Sequence, residues 1–131
     1  MIGLDTNVLV RYLTQDDKAQ AKRATRIIEQ QIYEQDPGFI GIIVLVETVW
    51  VLQRLYSASL QEVLQTVRDL LASRNIIIED RDVVARAVAV SERSGAVFPH
   101  ALVTMSASSA GCDEVVTFDR RAVRAGMALL G

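Results

Sequence analysis

The sequence contains few cysteine, proline, histidine and aromatic residues. Its 131 residues include one cysteine, two prolines and one histidine, and 5% of them are aromatic. The single Cys112 excludes an intramolecular disulfide and fits a reducing compartment, which predicts a cytoplasmic protein. The longest strongly apolar region, residues 41–52, contains Glu47 and is shorter than the ~20 residues that span a bilayer, so no membrane segment is expected.

The sequence also lacks a large excess of charge of either sign. The 14 Lys and Arg side chains face 16 Asp and Glu side chains, which leaves a net charge of −2. This balance argues against a protein that coats nucleic acid by bulk charge, so contact with a polyanion requires a local basic patch or a bound cation. Half of the residues are apolar, which is typical of a folded chain.

Short apolar runs alternate with longer segments of helical period. This alternation predicts an α/β fold, in which helices flank a central, mostly parallel sheet. The predicted strands are residues 1–4, 39–42, 76–78 and 115–118, and the predicted helices are residues 7–13, 17–34, 44–56, 60–73, 81–94, 100–111 and 120–126. Because neither a linker nor an internal repeat interrupts the pattern, we expect one domain over residues 1–131.

Two acidic residues directly follow predicted strands. Asp5 comes after the first strand and Asp119 after the last. Ligands of open α/β sheets bind at the carboxyl ends of the strands, so this placement is typical of a binding site. Each residue also stands directly before a predicted helix, where an aspartate that only caps the helix is equally in keeping with the pattern.

Glu47 is a third candidate, because almost every residue near it in the sequence is apolar. A carboxylate buried there needs a cation or a distant basic residue to offset its charge. The alternative is that Glu47 faces solvent while Val44, Val51 and Leu55 form the buried stripe of the helix. Three acids at one sheet edge repel one another, and a hard cation such as Mg²⁺ or Mn²⁺ relieves that repulsion. Such an ion indicates phosphodiester chemistry.

Three segments together resemble the PIN domain family, and within it the VapC toxins of bacterial toxin–antitoxin pairs. They are residues 2–10 (IGLDTNVLV), residues 46–52 (VETVWVL) and residues 111–119 (GCDEVVTFD). The resemblance implies a three-layer α/β/α sandwich and a metal-dependent ribonuclease that a cognate, VapB-like antitoxin keeps inactive. It assigns the acidic metal site to Asp5, Glu47 and Asp119, and the hydrogen-bonding support of that site to Thr6, Asn7 and Thr117.

One position departs from the family pattern. Where the family usually carries an acid, in a stretch like Phe-x-Asp-Ala-Leu, this chain has His100 within Phe98–Leu102. A neutral imidazole suits Zn²⁺ or Mn²⁺ better than Mg²⁺. His100 is therefore a catalytic ligand or proton-transfer group, the mark of a catalytically impaired protein, or an ordinary residue at a helix start.

Partner surfaces are predicted from charge and from surplus apolar residues. Arg120, Arg121 and Arg124 follow Asp119 and are candidates for binding the RNA backbone, or are simply solvated charges. No aromatic residue is expected to accompany them as a stacking platform. The predicted helices at 44–56 and 60–73 carry ten large apolar residues, either for the core or for an interface. By the resemblance, that interface serves a homodimer and an amphipathic antitoxin helix that aims an Arg at the acids.

Two other function classes remain as alternatives. A protein that keeps the PIN architecture and binds an antitoxin without cutting RNA is favoured by His100 and disfavoured by the three acids. A nucleotide-binding or response-regulator-like domain also places acids at strand ends. The sequence contains neither a G-x-x-x-x-G-K-[ST] nor a G-x-G-x-x-G motif. The nucleotide-binding or response-regulator-like domain therefore ranks below the nuclease and the antitoxin-binding protein.

Overall fold

Helices and parallel strands alternate along the chain, which confirms the α/β class expected from the sequence. The computed structural model describes all 131 residues. Backbone contacts divide them into two compact units, the first made of Met1–Ala58 and Asp69–Glu79 and the second of Ser59–Arg68 and Asp80–Gly131. None of the helices has the combination of length and apolar character that crossing a membrane requires.

The first unit contains a three-stranded parallel sheet. Its strands are β1 (Ile2–Gly3), β2 (Gly38–Ile40) and β3 (Ile76–Ile78), in the order β1-β2-β3. The Leu4 N–H donates to the Phe39 carbonyl at 2.9 Å and continues the pairing just past β1. Because all three strands are parallel, their carboxyl ends lie at the same edge of the sheet.

The helices of the first unit connect these strands. After β1 come α1 (Thr6–Thr14), α2 (Lys18–Arg26) and a π-helical segment (Ile27–Gln31), and after β2 comes α3 (Ile42–Leu55). Helix α1 contacts both α2 and α3. The buried apolar residues of this unit include Leu9, Ile40, Leu45 and Val49, so the helices attach to the sheet through their apolar faces.

The second unit is mostly helical. Helix α4 (Leu60–Ala72) contributes its first nine residues to it, and α5 (Arg81–Ser94) packs against α6 (Phe98–Ser109). A parallel pair follows, made of β4 (Val116–Thr117) and β5 (Ala128–Leu129), and a 3₁₀-helix (Arg120–Ala125) connects its strands. The buried residues of α5 and α6 include Val84, Ala87, Phe98 and Ala101.

The structure corrects three element predictions. The single helix predicted over residues 17–34 is wrong, because the α-helical pattern ends at Arg26 and the Ile32 N–H reaches back five residues to the Ile27 carbonyl. The helix predicted at 120–126 is a 3₁₀-helix. Strand β5 was missed because two residues are too few to show a period. The five strands form two sheets, one of three strands and one of two.

Most of the apolar residues that α3 and α4 carry belong to the core. Six of the ten are buried, namely Leu52, Val63, Leu64, Val67, Leu70 and Leu71. Core packing therefore accounts for the larger part of the apparent surplus. Trp50 and Leu55 remain exposed, at 53% and 70% of their accessible area, and Ile43 on the same helix is 77% exposed.

Candidate active site

Asp5 lies between the end of β1 and the first turn of α1. Its backbone is extended, and its Oδ1 accepts a hydrogen bond from the Thr6 N–H at 2.8 Å. The capping role offered by the sequence is therefore present. The side chain is exposed and its Oδ2 accepts no hydrogen bond, so capping leaves one carboxylate oxygen free for a ligand.

Glu47 lies in the second turn of α3, and the expectation that its carboxylate is buried is wrong. The buried stripe of α3 consists of Leu45, Thr48, Val49 and Leu52, and Glu47 is exposed. It faces solvent because a helix separates residues two apart onto different faces. The Glu47 Oε1 accepts a hydrogen bond from the Thr6 hydroxyl at 3.0 Å, so one threonine donates to both carboxylates.

Glu79 positions the helix that carries Glu47. The N-cap residue of α3 is Gly41, which has no side chain to accept the free N–H groups of the first turn. Glu79 follows β3, and its Oε1 accepts a hydrogen bond from the Ile42 N–H at 2.8 Å. Sequence analysis missed this residue, although it follows a strand just as Asp5 does.

Asp5, Thr6 and Glu47 line one groove of the first unit, which has a volume of about 390 Å³. The polar residues of the groove include Asp5, Thr6, Asn7 and Glu47, and its other walls are formed by Val10, Arg11, Val51, Leu55 and Tyr56. Two carboxylates, a hydroxyl and an amide thus share one concave surface. We name this surface, lined by the nine residues just given, the acidic groove.

In the second unit, Asp119 lies between the end of β4 and the 3₁₀-helix. Its Oδ1 accepts a hydrogen bond from the Arg121 N–H at 2.9 Å, so this carboxylate also caps a helical turn. The Asp119 N–H donates to the Thr117 hydroxyl at 3.0 Å. Thr117 therefore contacts the backbone of Asp119 and leaves its carboxylate to other partners.

The Arg121 side chain is one of those partners. Its Nε donates to Asp119 Oδ1 and its Nη2 to Asp119 Oδ2, each at 3.3 Å. The side-chain and backbone hydrogen bonds from Arg121, followed by its charge and that of nearby His100, hold the pKa of Asp119 below its ordinary value. Arg120 and Arg124 are exposed and form no ion pair, so Arg121 alone of the three contacts the candidate ligand.

His100 lies in the first turn of α6 and is half-buried. Its Nε2 is 3.7 Å from Asp119 Oδ2, a distance at which a protonated imidazole forms an ion pair. Its Nδ1 is buried and has no hydrogen-bond partner. The imidazole therefore presents one nitrogen toward the carboxylate, and a hydrogen bond that would fix the tautomer from the other side is lacking.

Phe118 was missed as a candidate. It directly precedes Asp119 and stands two residues before Arg120, and 81% of its area is exposed. It precedes the arginines and is not interleaved with them, so the expectation that they lack an aromatic stacking platform stays a prediction. The signal in the sequence was an aromatic residue at the end of a strand, where its ring has no core to enter.

The donor atoms fit a hard divalent cation. Mg²⁺ binds through one or two carboxylates together with water and substrate phosphate, and the acidic groove offers Asp5 and Glu47. No group of three or more His, Cys, Asp or Glu side chains lies close enough to hold a metal ion. The groove thus suits a cation that takes most of its ligands from water and substrate.

A comparison with protein families identifies the family of the chain. The model of the PIN domain family matches residues 2–127, nearly the whole chain, and the chain belongs to that family. PIN domains are generally nucleases, and PIN nucleases typically use divalent metals and act on nucleic acid. No curated protein matches the chain.

Proposed function

We propose that the protein is a divalent-metal-dependent endoribonuclease and the toxin of a VapBC-type toxin–antitoxin system. The observation that carries the proposal is the acidic groove, in which Thr6 donates one hydrogen bond to Asp5 and another to Glu47. In a member of a nuclease family, two carboxylates in one groove are enough to hold a hard cation that takes its other ligands from water and a substrate phosphate.

The proposed reaction is hydrolysis of an RNA phosphodiester bond. Mg²⁺ or Mn²⁺, when bound, supplies a water of lowered pKa and offsets charge on the phosphate. Asp5 and Glu47 would hold the cation. Asp119, which follows a strand in the same way as Asp5, is the proposed third acid, although no three acids lie within reach of one ion in the structure. Thr6, Asn7 and Thr117 support these acids, and Arg120, Arg121 and Arg124 are the candidates for binding the RNA backbone.

Replacing Asp5 by Asn tests the proposal. Asn keeps the capping oxygen and removes the negative charge, so we expect Mg²⁺- or Mn²⁺-dependent cleavage of single-stranded RNA to fall at least about 100-fold with the fold intact, as for loss of charge stabilisation at other active sites. Cleavage is followed by gel electrophoresis and metal binding by calorimetry. The matched control is Asp113→Asn, which changes an exposed acid with no hydrogen bond to its carboxylate. Full activity of Asp5→Asn contradicts the proposal.

A second candidate function is supported by His100. This residue occupies the place of an acid in the family pattern, and no three potential ligands form a cluster. Both observations favour a PIN protein that binds an antitoxin without cutting RNA. Absence of both metal binding and cleavage in the folded wild-type protein would favour this candidate over the nuclease.

The proposed antitoxin partner fits the make-up of the acidic groove. Val51 and Leu55 form an apolar wall beside the carboxylates of Asp5 and Glu47. An amphipathic helix places apolar residues on such a wall, and an Arg on that helix would pair with the carboxylates in place of a cation. We assign the exposed Ile43 and Trp50 of α3 to a homodimer contact. We also propose that the protein is cytoplasmic, because the exposed thiol of Cys112 suits a reducing compartment.

A further inference from the structure

A second concave surface adjoins the acidic groove. It lies between α1 and α2 in the first unit and has a volume of about 200 Å³. Drug-sized ligands occupy pockets of roughly 300–1,000 Å³, so this one suits a smaller group. Its lining includes Val8, Arg11, Gln20, Arg23 and Ile27. We name it the α1–α2 pocket.

Two kinds of side chain line the α1–α2 pocket. Val8, Ala24 and Ile27 are apolar, and we name them the apolar floor; the other lining residues are the amides of Asn7 and Gln20 and the two guanidinium groups. A planar, partly apolar ring with polar edges matches such a surface, since its face can pack on the floor while its edge meets the amides.

Arg11 is held in place by a network of hydrogen bonds. Its Nε donates to Gln20 Oε1 at 2.8 Å, and its Nη1 contacts Asp16 Oδ1 at 3.1 Å and the Tyr56 hydroxyl at 3.4 Å. The Tyr56 hydroxyl also donates to Asp16. Nη2 of Arg11 makes no hydrogen bond, so a fixed guanidinium keeps two donors for a phosphate.

Arg23 supplies the net charge of the pocket. Asp16 offsets part of the charge of Arg11, whereas Arg23 is exposed and forms no ion pair. The chain as a whole carries a net charge of −2, so the two guanidinium groups make this pocket more positive than the protein as a whole. An anion is therefore the ligand that this pocket favours.

The α1–α2 pocket and the acidic groove share two lining residues, Asn7 and Arg11. A strand that lies in the groove can therefore place its next unit in the pocket without leaving the surface of the first unit. We propose that the α1–α2 pocket binds one nucleotide of the RNA, with its base on the apolar floor and its phosphate between Arg11 and Arg23. This inference rests on the proposed nuclease function and adds a specificity site to it.

Arg23→Glu tests the subsite, with Arg26→Glu as the matched control. Both arginines lie on α2, both are exposed, and both changes make the net charge more negative by the same amount, but only Arg23 lines the α1–α2 pocket. The measurement is fluorescence anisotropy of a labelled short single-stranded RNA in EDTA, so that nothing is cleaved. We expect Arg23→Glu to weaken binding about tenfold and Arg26→Glu by no more than about twofold.

Val8→Phe separates recognition of the base from recognition of the phosphate. Phe fills the apolar floor, so we expect weaker binding of the RNA and unchanged binding of inorganic polyphosphate, which has no base. A loss of both contradicts the placement of the base. Should Val8→Phe fail to fold, as judged by circular dichroism, the Arg23 and Arg26 pair still decides the proposal.

Several outcomes overturn the subsite. They are equal weakening by Arg23→Glu and Arg26→Glu, no binding of RNA by the wild type, and displacement of RNA by a poly-glutamate peptide of the same charge, which would indicate an acidic protein segment. A different result would overturn the nuclease proposal. If the wild type binds RNA with the expected dependence on Arg23 but never cleaves it, the subsite stands and the proposed catalysis falls.

Discussion

Thr6 is the residue on which the arrangement of the acidic groove depends. Its backbone N–H donates to Asp5 and its hydroxyl donates to Glu47, 41 residues away in the sequence. One residue therefore orients a carboxylate that follows β1 and a carboxylate on α3. Hydrogen bonds of this kind orient metal ligands before the ion arrives.

Arg121 is expected to control the ionisation of Asp119. Its hydrogen bonds lower the pKa of that carboxyl group, so Arg121→Ala should raise the pKa of Asp119, as measured by ¹³C NMR titration. Arg120→Ala is the matched control, because Arg120 neighbours Asp119 in the sequence without donating to its carboxylate. An unchanged pKa in Arg121→Ala, or an equal rise in both variants, would contradict the role assigned to Arg121.

His100→Asp restores the acid of the family pattern. The new carboxylate adds a hard oxygen ligand and negative charge, so we expect Mg²⁺-dependent cleavage to rise about tenfold or more. Cleavage rates at several Mg²⁺ concentrations measure the effect. His100→Asn, which adds an oxygen without charge, is the control and should not produce the rise. No change in His100→Asp would indicate that this position is dispensable.

Sequence analysis proposes the acids of the candidate site more readily than the residues around them. Asp5 and Asp119 are candidates because each follows an apolar strand, which is a local pattern. The contacts of Tyr56 with Arg11 and Asp16 join residues 45 and 40 positions apart, and no local pattern reports such pairs. The exposure of Glu47 was equally hidden, because apolar neighbours surround it in the sequence on every face of α3.

At the scale of elements, helix α4 begins with a reciprocal pair of hydrogen bonds. The Ser59 N–H donates to Glu62 Oε1 at 3.0 Å, and the Glu62 N–H donates to the Ser59 hydroxyl at 3.1 Å. This is the capping box, which satisfies two of the free donors at a helix start. It sets where α4 begins, three residues after the chain leaves the left-handed backbone of Ser57.

Ser59→Ala should destabilise the protein by about 1 kcal/mol, the usual cost of removing a capping hydroxyl. Thermal unfolding at neutral pH measures the loss, and Ser106→Ala, an exposed serine within α6, should change stability much less. The backbone and hydroxyl of Ser59 lower the pKa of Glu62. The stability that the ionised Glu62 carboxylate gains from Ser59 is therefore complete above the ordinary pKa of Glu62 and is lost as the pH falls through its lowered pKa. The difference in free energy of unfolding between wild type and Ser59→Ala should therefore become smaller in acid.

Elements with a clear local pattern were predicted well, and irregular elements poorly. The bounds of α5 and β3 agree with the structure residue for residue, because a 14-residue helix shows its period clearly and β3 is a run of three isoleucines. The π-helical segment could not be predicted, since widening one turn changes the hydrogen-bond partners without changing the apolar pattern. Helical segments that depart from α geometry need the structure to reveal them.

At the scale of the whole molecule, an exposed apolar face of α3 predicts self-association. Ile43 and Trp50 lie seven residues apart, two helical turns, and both are exposed. If this face forms the homodimer, Ile43→Glu should convert the dimer into a monomer in light scattering coupled to size-exclusion chromatography. Val103→Glu, which alters a half-exposed valine of α6, should leave the dimer intact. A dimer that survives Ile43→Glu contradicts the assignment.

The course of the chain through the two units bears on how the protein is made. The segment Ser59–Arg68 belongs to the second unit but leaves the ribosome before Asp69–Glu79, which completes the first. Its buried residues Val63, Leu64 and Val67 must wait for the synthesis of more than fifty further residues, Asp80–Gly131, before the second unit is complete. A newly made chain therefore passes through a stage with an apolar helix uncovered, and that stage is when aggregation or chaperone binding is most expected.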